Sequence, residues 1–104
     1  MDDEGLFFDR DGNPMSQEQW TETFAIRHTK DYKQVAFEDM DDVHVSTVWL
    51  GMNHNFTGVG PPLIFETMIF GGPHEGWTQR YPTEAAAIAG HDQAVAALRE
   101  GEDP

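Results

Sequence analysis

The sequence predicts an α+β fold: an antiparallel sheet of three to four strands, with a short N-terminal helix and a longer C-terminal helix packed on one of its faces. Three observations carry this expectation. The block 43–52 is dense in β-branched and aromatic residues, with Val43, Val45, Thr47, Val48 and Trp49, and a polar turn precedes it. A second apolar run, 63–70, follows a Gly/Pro-rich connection and stops at Gly71-Gly72-Pro73. After Pro82-Thr83 the chain is rich in alanine and repeats apolar residues at helical spacing.

Taken in order, residues 1–5 read as a frayed tail, as do 100–104. Leu6-Phe7-Phe8 is a short apolar run, and Asp9-Arg10-Asp11-Gly12-Asn13-Pro14 after it is dense in turn formers. That turn has a passing likeness to a calcium loop, but its glycine stands at the wrong position and no bidentate glutamate closes it. Ser16, with Gln19 three residues on, makes a capping box. The helix it opens has Trp20, Phe24 and Ile26 or Arg27 on its inner face and ends before Thr29. A first strand is read at 31–37, anchored by Tyr32, Val35 and Phe37, with 38–42 as a polar turn. In the 43–52 strand the odd positions are Val43, Val45, Thr47 and Trp49, and the even ones His44, Ser46, Val48, Leu50 and Met52. One face starts polar and both end apolar, so the second half needs cover on two sides.

Residues 53–60 form a loop carrying His54 and Phe56, stiffened by Pro61-Pro62. Beyond the 63–70 strand, His74-Glu75-Gly76 reads as a loop and 77–81 as a last short strand. Thr83 is placed to N-cap the final helix and Gly101 to stop it. The helix stripe is Ala87/Ile88, His91, Ala94/Val95 and Leu98, which sets His91 in the middle of the inward face. The face of the sheet away from the helices, with Trp49 or its neighbours, is left uncovered. An uncovered apolar face on a small protein points to self-association, and a homodimer is expected.

A chain of 104 residues suits one domain spanning 1–104 with a modest core. Only 38% of residues are hydrophobic, but they are concentrated and 12% of the chain is aromatic, which argues against general disorder. With no cysteine, a disulfide framework, a zinc-thiolate site and a cysteine nucleophile are excluded. The opening Met1-Asp2-Asp3-Glu4 is acidic where a secretory signal is basic and then apolar, and no apolar run approaches the ~20 residues that span a bilayer. A cytoplasmic location and no membrane partner are expected. Nineteen acids against six bases leave a formal charge of −13. Phosphates would be repelled, so direct nucleic-acid binding is disfavoured, while a basic partner or imitation of nucleic acid is permitted. The acids are dispersed over 2–4, 38–42 and 100–103, which reads as solvation; a DNA-mimic inhibitor would line them along one face.

Five histidines stand in the chain, and no two have the i, i+4 spacing of a helical metal site. There is no phosphate-binding glycine loop, no Ser-His-Asp pattern and no glycine-flanked serine elbow, so no cofactor and no metal is assigned. Glu66 is the carboxylate of interest, since its neighbours Ile64-Phe65 and Thr67-Met68 are apolar or nearly so and an unpaired buried carboxylate is costly. It either reaches a rim, pairs with a base, or belongs to a site. His91 reads as a core histidine or a partner of Glu66, and His54 as a loop histidine or a binding residue at a strand exit. Convergence of Glu66, His54 and His91 would allow acid–base chemistry or a nucleotide-sized ligand pocket floored by the sheet. A two-His, one-carboxylate metal site has no support from spacing. The candidate binding set is Trp49, His54, Phe56, Glu66 and His91.

Three phrases carry a resemblance: Val45-Ser46-Thr47-Val48-Trp49-Leu50-Gly51-Met52-Asn53-His54; Gly60-Pro61-Pro62-Leu63-Ile64-Phe65-Glu66-Thr67-Met68-Ile69-Phe70-Gly71; and Tyr81-Pro82-Thr83-Glu84 with Ala89-Gly90-His91. Over roughly 43–98 the chain resembles a family of small proteins encoded by actinobacterial phages and actinobacterial genomes. The resemblance brings no activity with it. It implies a phage or prophage product acting inside a bacterial cell, of the interaction type that modulates a host or counters its defences.

Overall fold

A computed structural model describes residues 5–26 and 30–104. β1 (Phe7–Phe8) and β2 (Pro14–Met15) form a small antiparallel hairpin. Its turn is organised by Asp9, whose carboxylate accepts from the backbone N–H groups of Asp11 at 2.9 Å and Asn13 at 2.8 Å. α1 (Gln17–Ile26) begins at the expected capping box: Gln19 N–H donates to Ser16 Oγ at 3.1 Å, and Ser16 N–H donates back to Gln19 Oε1 at 3.0 Å. Of its inner positions, Trp20 lies 5.0 Å from the Phe7 ring and donates its indole N–H to the Leu50 carbonyl at 3.3 Å. The expectations for Phe24, Ile26 and Arg27, like those for His28, Asp31 and the acidic residues 2–4, lie outside the described side chains.

A single helical turn, α2 (Lys30–Lys33), leads into an antiparallel meander of β3 (Gln34–Met40), β4 (Val43–Trp49), β5 (Phe65–Phe70) and β6 (Thr78–Tyr81), paired in that order. α3 (Glu84–Arg99) lies across one face. The fold is α+β, as the sequence predicts. β3 starts later and runs further than expected, and the turn shrinks to Asp41-Asp42, with Asp41 at φ 65°. The reason is tertiary. Glu38 accepts from Arg99 of α3 at 2.7 Å and Asp39 lies 3.3 Å from His44 across the ladder, so both acids are at home in a strand.

The face under α3 carries Val45, Thr47 and Trp49 of β4 and Phe65, Thr67 and Ile69 of β5, all buried. α3 presses Ala87, His91, Ala94 and Val95 onto it, the stripe expected from spacing. One apolar cluster gathers Phe8, Trp49, Ile64, Phe65, Tyr81 and Ala87, the other Val45, Ile69, Ala94 and Val95. Trp49 therefore belongs to the covered face and not to the open one. Both parities are apolar at that end of β4, and the indole is drawn under the N-terminal hairpin by its bond to the Phe8 carbonyl at 3.0 Å. The open face carries Phe37, His44, Ser46, Val48, Glu66, Met68 and Phe70.

Both ends of α3 are capped. Ala86 N–H donates to Thr83 Oγ1 at 3.1 Å. At the other end Gly101 takes φ 75°, with Glu102 N–H on the Ala97 carbonyl at 2.8 Å and Gly101 N–H on that of Leu98 at 3.1 Å. The N–H groups of Glu100, Gly101 and Glu102 are thus bonded to the last turn of α3, and Asp103 lies 3.5 Å from His74. Within the helix, Gly90 is where Tyr81 crosses: a Cβ there would run into the phenol ring.

Candidate functional site

Three places hold the residues singled out by sequence. The first is a buried polar layer between the two apolar clusters. Thr47 and Thr67 face each other across β4 and β5 with their hydroxyls 2.5 Å apart, and Thr47 Oγ1 lies 2.8 Å from His91 Nδ1. The donor sequence follows from counting protons. If Thr67 donates to Thr47 and Thr47 donates to Nδ1, each hydroxyl proton is used and the imidazole carries its hydrogen on Nε2. The reverse sequence would leave the Thr67 hydroxyl proton without an acceptor in a wholly buried position. His91 also lines a cleft of about 280 Å³ shared with Glu38, Asp92, Val95, Ala96 and Arg99. Both hydroxyls are out of reach of any reagent, so the layer orients a histidine and supplies no nucleophile.

Burial pushes the His91 pKa below the ordinary 6.5, with Asp92 and Glu38 pulling weakly the other way. Protonation would also turn Nδ1 into a donor and reverse the Thr47–Thr67 sequence. The unfolded chain regains the ordinary value. Stability from the neutral imidazole is therefore complete above 6.5 and declines as pH falls below it, because the unfolded chain then takes up the proton first. Urea unfolding from about pH 7.5 to 5 is expected to show this decline, and His91→Gln to remove that part of the slope. Equal slopes in both proteins would sink the assignment.

The second place is Glu66. It stands on the open face, where it accepts from Arg80 Nε of β6 at 3.0 Å. The base it needs is a cross-strand arginine. Glu66 and His91 thus lie on opposite faces of the sheet, and the convergence of Glu66, His54 and His91 is not made.

The third place is the loop 52–62. His54 N–H donates to the Leu63 carbonyl at 2.8 Å, and its ring Nδ1–H donates to the Met52 carbonyl at 2.8 Å. The ring lies 5.7 Å from that of Phe56. Asn53 Oδ1 accepts from Asn55 N–H at 2.8 Å and Leu63 N–H at 3.0 Å, closing the base of the loop. Asn55 Nδ2 donates to the carbonyls of Val59 and Pro61 at 2.8 and 2.9 Å, and its Oδ1 accepts from Thr57 Oγ1 at 2.6 Å. On this internally bonded frame Phe56 is 80% exposed and Val59 79%.

Of the candidate binding residues, the structure brings His54 and Phe56 together on this loop and buries Trp49 and His91 in the core. Sequence reading missed Val59, and missed Asn53 and Asn55 as the loop's frame. The available signal was two asparagines, one residue apart, in a stretch from Val43 to Phe65 that carries no Asp, Glu, Lys or Arg. Among the described residues no three His, Asp or Glu side chains gather to hold a metal ion, and no helix is long and apolar enough to cross a membrane. No protein-family model, curated protein or solved structure matches the chain.

Proposed function

We propose that this is a non-enzymatic interaction protein of phage type that docks on a host or phage macromolecule through the 52–62 loop, with Phe56 and Val59 as its anchors. One observation carries the reading: the loop is fixed by its own hydrogen bonds and yet presents two apolar side chains, Phe56 and Val59, to solvent. Water gains nothing from such a display, whereas a partner with an apolar recess gains contact area without having to order the loop first. The uncharged stretch is set in a chain of −13, which favours a protein surface over nucleic acid. The resemblance to phage proteins supports action inside a bacterial cell as a host modulator or counter-defence factor. The enzyme or nucleotide-binding alternative on Glu66, His54 and His91 lacks a shared cleft. A DNA mimic finds little support, since Glu38, Glu66 and Glu84 are each drawn into ion pairs with Arg99, Arg80 and Arg10 on separate elements.

The test is affinity capture from an actinobacterial lysate, read by mass spectrometry. A partner retained by the parent protein and by Glu66→Gln is expected to fall at least tenfold with Phe56→Ser/Val59→Ser. Asn55→Ala, which loosens the loop and leaves its apolar surface unchanged, is expected to weaken capture to a lesser degree. Undiminished capture by Phe56→Ser/Val59→Ser overturns the docking loop.

A second reading rests on the open sheet face, where Phe37 is 51% and Phe70 47% exposed and the Phe37 ring stacks 5.7 Å from His44. That face supports the expected homodimer. Sedimentation at micromolar concentration should then show a dimer that Phe37→Asp/Phe70→Asp dissociates; a clean parent monomer removes this reading.

A further inference from the structure

The geometry points to a small-molecule site at the far end of α3: we infer that the cleft between the α3 C-terminus, the β3–β4 turn and the β5–β6 connection binds small organic cations, a primary ammonium joined to an apolar body. The site is separate from the docking loop and does not rest on it.

The cleft has a volume of about 280 Å³, close to the lower end of small-ligand pockets at roughly 300 Å³. Its walls are apolar. Met40, Val43 and Leu98 are only partly buried against the second core cluster, and Ile69 forms the floor. They offer an aliphatic or aromatic body a surface already assembled by the fold. The charge at the rim is predominantly negative. α3 ends here, bringing the negative end of its dipole. Glu102 lines the cleft and is fixed by its N–H bond to the Ala97 carbonyl at 2.8 Å. Asp103 lies 3.5 Å from His74, the other polar side chain of the lining. No lysine or arginine is among the lining residues, and the nearest in sequence, Arg99, is held by Glu38 at 2.7 Å. An ammonium beside Glu102 would meet its carboxylate at the negative end of the helix dipole, while its body covers Met40, Val43 and Leu98. A carboxylate ligand of the same shape would meet repulsion from both.

The experiment is an amide ¹H–¹⁵N NMR titration of the full chain with hexylammonium, hexanol and hexanoate at matched ionic strength. Hexylammonium is expected to give saturable shifts confined to the amides of Val43, Ile69, Leu98 and Gly101 and their neighbours, with Kd on the order of 0.1–1 mM. Hexanol should bind several-fold more weakly and hexanoate not measurably. Glu102→Gln, at an exposed position that leaves the core intact, is expected to reduce the preference for hexylammonium over hexanol by about three- to fivefold without weakening hexanol. Leu98→Phe, which fills the cleft, should abolish both. The proposal is overturned if hexanoate binds as tightly as hexylammonium, if the shifts spread over the acidic surface without saturating, or if Glu102→Gln leaves the preference unchanged. Phe56 and Val59 play no part in these measurements, so failure here leaves the docking loop standing, and the reverse.

Discussion

Trp49→Ala is expected to cost about 3–5 kcal/mol of folding stability, a large share of what a domain of this size possesses. The indole is 1% exposed and sits in the larger apolar cluster, with Tyr32 edge-on at a ring distance of 5.0 Å. Truncation would leave a cavity that Phe65 and Ile64, themselves fully enclosed, have little freedom to fill. It would also leave the Phe8 carbonyl without the indole N–H that ties the N-terminal hairpin to the sheet. Trp49→Phe separates the two effects, keeping most of the apolar contact and losing the hydrogen bond at about 1–2 kcal/mol. Urea unfolding followed by circular dichroism measures both. A loss below ~1 kcal/mol for Trp49→Ala would place the ring on the surface.

Thr47→Val is the second large effect, and it is not a matter of volume. The two side chains have nearly the same shape, so the expected loss of about 2–4 kcal/mol comes from two buried groups, the Thr67 hydroxyl and His91 Nδ1, left without partners. The cost should therefore be non-additive. Thr47→Val/Thr67→Val/His91→Leu removes the polar layer as a unit and is expected to recover most of the stability lost by the single change. A single change costing under ~1 kcal/mol, or a triple change costing the sum of its parts, would show that the hydroxyls and the imidazole are not joined.

Much of the architecture was legible because local signals agreed. The β-branched run of β4, the Ser16–Gln19 box, the Thr83 cap, the Gly101 stop and the stripe that turns His91 inward are all short-range patterns, and each appears in the structure. What was not legible depended on partners distant in sequence. Glu38 reads as a turn residue until Arg99, 61 positions away, is known to meet it. Trp49 reads as belonging to either face because β4 is apolar on both near its end. The candidate site was half legible. A Gly/Asn-rich strand exit holding His54 and Phe56 marks a loop of interest, but the Asn53–Leu63 and Asn55–Pro61 bonds that make it rigid require the loop to be closed first. Glu66 was open to three readings, a rim, a base or a site, and the base considered was a histidine, whereas the structure pairs it with Arg80. Which base was a question of strand pairing, and Arg80 stands directly opposite it.

The facing threonines have a further consequence for how the strands find their places. On the covered face β4 offers Val45, Thr47 and Trp49 in turn, and β5 offers Phe65, Thr67 and Ile69. A slip of β4 past β5 by one residue would turn Val45 and Trp49 outward and bring His44 and Ser46 under α3, and is self-correcting. A slip by two would keep each side chain on its own face, and the apolar pattern alone would resist it only weakly. It would, however, set Thr47 against Phe65 or Ile69 and strand both hydroxyls in an oily layer. The pair acts as an alignment pin: it adds little net energy in the correct pairing and penalises the near-miss. A chain with the layer removed could then be as stable as the parent and less certain of which neighbour each residue meets.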